Sequence, residues 1–182
     1  MRVTPTAFPQ VLLIEPRVFK DHRGHFLEIY QAARYLEHGI PTRFVQDILS
    51  YSQKGVLRGL HYQLGRPQGK LVAVVQGSVF DVVVDLRRSS PHFGKWLSMI
   101  LDARSCRQLY IPEGFAHGFC VLSDAATVLY KCTDYYAPQE ERGIRWDDPA
   151  LGINWPVVEP ILSPKDQAFP FLESLPASQL PA

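Results

Sequence analysis

The chain has 182 residues, 46% apolar and 20% charged, which fits one globular domain and excludes a disordered chain. Nineteen Lys and Arg stand against eighteen Asp and Glu, for a formal charge of +1. So even a balance gives no general electrostatic pull toward nucleic acid or an anionic membrane.

Residues 31–38 read as a short helix, with Gly39 as the left-handed residue beyond its end. Residues 56–63, VLRGLHYQ, begin as an apolar strand but carry Arg58 and His61. Side chains alternate along a strand, so positions 58 and 61 belong to opposite faces. Gly59 lies between them, and a strand glycine suggests a bulge. A bulge there would turn both side chains into one cavity. Residues 70–87 read as a hairpin turning at Gly77-Ser78. In its second run Val79, Asp81, Val83, Asp85 and Arg87 share the more polar face, and Phe80, Val82, Val84 and Leu86 share the other. Further strands are expected at 95–101, 107–111, 115–122 and 126–136, with a turn at Pro112-Glu113-Gly114. Eight prolines lie from Pro138 onward, so the C-terminal segment can wrap a surface but cannot supply central strands. The expected fold is all-β, one domain over 1–182. Its architecture is a sandwich or jelly roll of the kind that includes the cupins.

No run approaches the ~18 apolar residues of a membrane span. Pro5, Pro9 and Pro16 interrupt any signal-peptide pattern, and a cytoplasmic protein is the expectation. Cys106, Cys120 and Cys132 are widely spaced and form no CxxC, so they read as small buried hydrophobes. The polar residues inside apolar strands carry the chemical signal: Arg58, His61, Lys70, His117 and Tyr130, with Asp166 near the end of the fold. Singly, each has a bland reading as a solvated charge or a hydrogen-bonded core residue. Metal-binding cupins pair two His two apart with a Glu and a later His. Here Gln63 stands two after His61, and His22 and His25 have no third ligand nearby. No metal is therefore expected. GxSxG, GxGxxG and the P-loop pattern are all absent from the sequence.

Six stretches together resemble one family. They are FKDHRGHFLE (19–28), KGVLRGLHYQ (54–63), GKLVAVVQGSVFDVVVDLRRSSPHFGKW (69–96), IPEGFAHGF (111–119), YKCTDYYAPQEERGIRWDDP (130–149) and LSPKD (162–166). The chain resembles the dTDP-4-dehydrorhamnose 3,5-epimerases over most of residues 19–166. The resemblance implies a cupin-type jelly roll, a homodimer and an isomerase that uses no cofactor. The implied substrate is dTDP-4-dehydro-6-deoxy-D-glucose, inverted at carbons 3 and 5 to dTDP-4-dehydro-6-deoxy-L-mannose. His61 matches the general base, Asp166 its carboxylate partner, Tyr130 the acid and Lys70 the lysine beside the keto oxygen. Arg58 and His117 match residues at the sugar and diphosphate. Arg23 matches a phosphate contact, Glu28 and Gln46 match nucleotide-site positions, and Tyr136 matches the aromatic on thymine. Glu141 and Lys165 match two more substrate-binding positions. One departure is visible: QDILS places Ile48 where the family usually has Asn. Three other functions stay open: an epimerase of one centre, a metal-dependent cupin oxygenase, and a sugar-nucleotide binder without catalysis.

Overall fold

A computed structural model describes residues 1–182. Four short strands come first: β1 (Arg2–Pro5), β2 (Leu12–Glu15), β3 (Val18–Asp21) and β4 (Gly24–Leu27). Helix α1 (Ala32–Leu36) follows. Gly39 has φ +75°, and the Ile40 N–H bonds back to the Tyr35 carbonyl. That six-to-one bond, with Ile40 and Tyr35 buried together, is a Schellman end with glycine where the sequence places it. Eight longer or central strands come next: β5 (Gln46–Gln53), β6 (Leu57–Gln63), β7 (Lys70–Gln76), β8 (Ser78–Asp85), β9 (Trp96–Asp102), β10 (Gln108–Ile111), β11 (Phe115–Val121) and β12 (Ala125–Cys132). Strand β13 (Glu141–Gly143) and helix α2 (Pro164–Ala168) complete the elements that matter for the site. No helix is long and apolar enough to cross a membrane.

Two antiparallel sheets face each other, as in the cupin-type jelly roll. One has the order β1-β2-β10-β7-β12-β5, the other β13-β6-β11-β8-β9, and β3-β4 pair only with each other. The main apolar core lies between the sheets, with Val72, Val74, Leu109 and Val128 from one meeting Val83, Leu101, Phe115 and Phe119 from the other. This core closes part of the barrel and leaves the rest to a cavity.

The expected hairpin at 70–87 is corrected by this topology. Strands β7 and β8 lie in different sheets, and Gly77 (φ +75°) carries the chain from one to the other. A Cβ on Gly77 would lie 2.1 Å from the Ala125 carbonyl oxygen, so the crossover is pinned against the start of β12. Two β-branched runs announce two strands but not their partners. The polar face of β8 is the inner one, because Val79 and Val83 belong to the central core. Its apolar face, Val82, Val84 and Leu86, is covered by Ile144, Leu151, Leu172 and Leu180 of the C-terminal segment. That segment wraps the sheet as its prolines require; apart from β13, the one β-bridge it makes is Val56 to Ile161.

The bend expected at Gly59 is present. Strand β11 pairs His117 with His61 and Phe119 with Arg58, so two steps on β11 span three on β6. The extra residue is a bulge, and it cancels the parity difference between positions 58 and 61. Gly59 has φ +127° and a cis peptide to Leu60. Its backbone presses on Gly118: a Cβ on Gly118 would lie 2.7 Å from the Arg58 carbonyl oxygen and 3.1 Å from the Gly59 Cα. Gly118→Ala is expected to destabilise the fold by about 1–3 kcal/mol, the usual cost of overpacking. Urea unfolding would measure it, with a lower midpoint and an unchanged slope.

Candidate active site

The two sheets form the walls of an open cavity of about 280 Å³. The six-stranded sheet contributes Ile48 from β5, Lys70 from β7 and Tyr130 from β12. The five-stranded sheet contributes Arg58 and His61 from β6, His117 from β11 and Glu141 from β13. Tyr136 and Lys165 stand at the mouth. His61 and Tyr130 therefore sit on opposing walls.

His61 is anchored from outside its own sheet. Ser163 caps α2 by accepting the Asp166 N–H, and α2 delivers the Asp166 carboxylate to His61. The His61 Nε2 lies 2.5 Å from Asp166 Oδ1, and Asp166 is only 3% exposed. Burial alone would raise the Asp166 carboxyl. The hydrogen bond and charge of His61, the Ser163 bond and Lys165 outweigh it and hold the group below its ordinary 3.8. An ionised carboxylate accepts, so Nε2 carries the proton. In the neutral ring Nδ1 then keeps its lone pair.

On the facing wall, Tyr130 is flanked across the strands by Ile48 and Val72. Burial raises its phenol above the ordinary 10; Cys132 adds to the rise, Arg58 opposes it and Glu141 adds again. At neutral pH Tyr130 is a protonated donor. Lys70 sits across from Cys132 in the strand pairing, and burial lowers its ammonium from 10.5 despite Cys132, Glu141 and Asp81.

A second histidine–carboxylate pair lies beside the first. His117 is directly across from His61, and its Nε2 is 2.9 Å from Asp81 Oδ2. Asp81 is fully buried and its Oδ1 has no partner. Arg58 donates through Nε to Ser52 Oγ at 2.9 Å. At the mouth, Lys165 Nζ lies 2.8 Å from both Glu141 oxygens, and the Tyr136 hydroxyl donates to Glu141 at 2.8 Å. Burial would raise the Glu141 carboxyl, but Lys165, Tyr136 and His61 hold it below 4.5. The Tyr136 N–H donates to Gln46 Oε1 at 2.8 Å, which ties the rim to β5.

Of the twelve residues singled out from the sequence, Arg58, His61, Lys70, His117, Tyr130, Tyr136, Glu141 and Lys165 line one cavity. Asp166 backs His61, and Gln46 supports Tyr136. Arg23 and Glu28 do not join them within this chain. Arg23 is at the β3-β4 turn, paired with Asp21, and Glu28 pairs with Arg34. The β3-β4 hairpin, which carries Arg23 and ends just before Glu28, pairs with neither large sheet. Sequence reasoning missed Asp81 as a partner for His117, although a lone Asp inside a β-branched run was a signal. No group of three His, Cys, Asp or Glu side chains is arranged to hold a metal ion.

A carboxylate-backed histidine and a protonated tyrosine on opposite walls, with a lysine on the tyrosine's wall and a jelly roll around them, define a cupin-type epimerase. The comparisons agree. A family model described as dTDP-4-dehydrorhamnose 3,5-epimerase matches residues 5–174. A dTDP-4-dehydrorhamnose 3,5-epimerase of Shigella flexneri is 55% identical over 168 residues, covering 91% of this chain and 93% of that one. One of Neisseria gonorrhoeae is 56% identical over 169 residues, covering 92% of this chain but 52% of that one, so the chain spans about half of that relative. A Legionella pneumophila dTDP-6-deoxy-D-glucose-3,5-epimerase, solved in complex with dTDP-4-keto-L-rhamnose, is 53% identical. It superposes with a TM-score of 0.96, covering 99% of this chain and 97% of that one. The chain belongs to the dTDP-4-dehydrorhamnose 3,5-epimerase family, and it is an isomerase.

The lowered Asp166 carboxyl gives a signed pH dependence. Its paired carboxylate contributes stability above pH 3.8, and that contribution is lost as pH falls through the lower folded value. Unfolding free energies at pH 6 and pH 3 should differ less in Asp166→Asn than in the native chain.

Proposed function

We propose that the chain inverts carbons 3 and 5 of dTDP-4-dehydro-6-deoxy-D-glucose to give dTDP-4-dehydro-6-deoxy-L-mannose. The observation that carries this reading is the placement of His61 and Tyr130 on opposing walls of one cavity. Both carbons flank the carbon-4 ketone, so loss of either proton leaves an enolate. Inversion needs removal from one face and return to the other. The Nδ1 of His61 takes the proton, and the imidazolium is stabilised by Asp166 through Nε2. Tyr130 returns a proton to the opposite face. Lys70 faces the carbon-4 oxygen. Burial disfavours its charge, and an oxyanion arriving beside it restores that charge, so the lysine helps most when the enolate exists. Bulk solvent takes the proton from His61 and returns one to Tyr130 after each inversion, so the same pair acts once at each carbon.

Arg58 and His117 bind near the sugar and diphosphate, and Tyr136 stacks on thymine with Gln46, Glu141 and Lys165 around it. Ile48 gives this pocket an aliphatic wall where the family usually has an amide. Arg23 and Glu28 serve the nucleotide site of a second subunit in a homodimer. Uncovered apolar side chains support that assembly: Phe19 and Phe26 on the β3-β4 hairpin, and Leu49, Tyr51 and Val75 on the outer side of the six-stranded sheet. Three free cysteines suit a reducing compartment, the cytoplasm.

Deuterium NMR in D2O with dTDP-4-dehydro-6-deoxyglucose tests the reaction. Label is expected at carbons 3 and 5; label at one carbon gives a single-centre epimerase, and none removes the proposal. His61→Ala should cut exchange at both carbons by at least ~10²-fold, the scale of lost general-base catalysis. Tyr130→Phe should retain exchange but form product far more slowly. Near-normal turnover in His61→Ala would overturn the base assignment.

A further inference from the structure

A second group from α2 also reaches His61. The Phe169 ring, at the helix's C-terminal end, meets the His61 imidazole edge to face, with centroids 5.6 Å apart and planes at 69°. Phe169 lies one turn beyond Asp166, so one short segment presents a carboxylate to Nε2 and an aromatic wall to the ring. The opposite strand makes room for it. Gly143 on β13 is the cross-strand partner of His61. A Cβ at position 143 would lie 2.5 Å from Phe169 Cδ2 and Cε2 and 2.6 Å from Cζ. The ring therefore occupies the space that a side chain beside His61 would take. Beyond it the chain is fixed twice: the Arg145 N–H donates to the Pro170 carbonyl at 3.0 Å, and the Leu172 N–H to Asp148 Oδ2 at 2.6 Å.

We infer that Phe169, seated in the slot left by Gly143, is a positioning residue that fixes the plane of the His61 ring. One hydrogen bond to Nε2 sets a direction but leaves the imidazole free to swing about that bond. A flat hydrophobic neighbour on one side removes the swing and aims Nδ1 at the cavity. Phe169 is not among the cavity-lining residues, so it acts on substrate through a neighbour, and the lining residue its ring meets is His61. Its loss should therefore act on turnover and not on binding.

The inference rests on the assignment of His61 as base, and two readouts keep the two separable. The first is kcat and KM for epimerisation. Phe169→Ala should lower kcat at least tenfold with KM within twofold of native, and Phe169→Leu, which refills the slot, should recover kcat to within threefold of native. The second is the histidine tautomer read by ¹⁵N NMR without substrate. Native His61 should show one Nε2–H tautomer, and Phe169→Ala a mixture, because a ring free to swing also loosens its bond to Asp166. The substrate reading can fail through absent turnover in the native chain while the tautomer readout still tests the positioning. Should Phe169→Ala fail to fold, Phe169→Val is read in its place. Unchanged kcat and an unchanged tautomer in a folded variant overturn the inference, whatever happens to its melting temperature. So does a rise in KM that accounts for the whole loss, or a Leu variant as slow as Ala.

Discussion

Everything at this site depends on breaking the alternation of β6 once. A regular strand would send Arg58 and His61 to opposite sides of the sheet, one into the cavity and one under the C-terminal segment. The extra residue at Gly59 brings both inward. Such a bulge needs its partner strand to come close without side chains in between, and Gly118 meets that need. The pairing of two glycines across β6 and β11 is thus a condition for chemistry that neither glycine performs. It also sets His117 directly across from His61, so both histidines open on one cavity from adjacent strands.

Within that cavity, burial and pairing compete at each ionisable group, and the outcomes differ. For Asp166 and Glu141 the partners win and the carboxyls are held below their ordinary values. For Lys70 and Tyr130 burial wins, which weakens the lysine's charge and strengthens the tyrosine's hold on its proton. Glu141 stands on the five-stranded wall with the histidines, Asp166 reaches that wall from α2, and the phenol and amine stand on the other. A carbonyl compound between the walls meets proton acceptance on one side and donation on the other. Cys132, buried opposite Lys70 with its thiol raised by burial, adds to the rise at Tyr130 and opposes the fall at Lys70.

The strands from 57 onward were legible because β-branched runs and glycine punctuation mark them. Partners were not: the 70–87 segment looks like a hairpin, yet its halves join different sheets because the jelly roll crosses over at Gly77. The N-terminal strands are four residues each, too short to show a period. Strand β5 conceals itself differently, with Ser50 and Ser52 turned inward and Leu49 and Tyr51 exposed, the reverse of the usual pattern. The family motifs supplied His61, Tyr130 and Asp166 at once, since each stands in a distinctive stretch. Asp81 and Phe169 escaped because their importance comes from what they touch. An aspartate in a strand resembles a surface residue until His117 is seen against it, and a phenylalanine in a proline-rich tail resembles wrapping until the empty side of Gly143 is known.

The bond between His61 and Asp166 spans 105 positions of chain. A nascent chain leaves the ribosome from its N-terminus, so the residues of the barrel are made before those of the tail. All the strands of both large sheets are complete by Gly143, well before α2 is synthesised. A barrel closed at that stage would have its cavity and its imidazole, but nothing to hold the proton on Nε2. The pairing at the histidine thus depends on the docking of the tail, and without it His61 lacks its carboxylate.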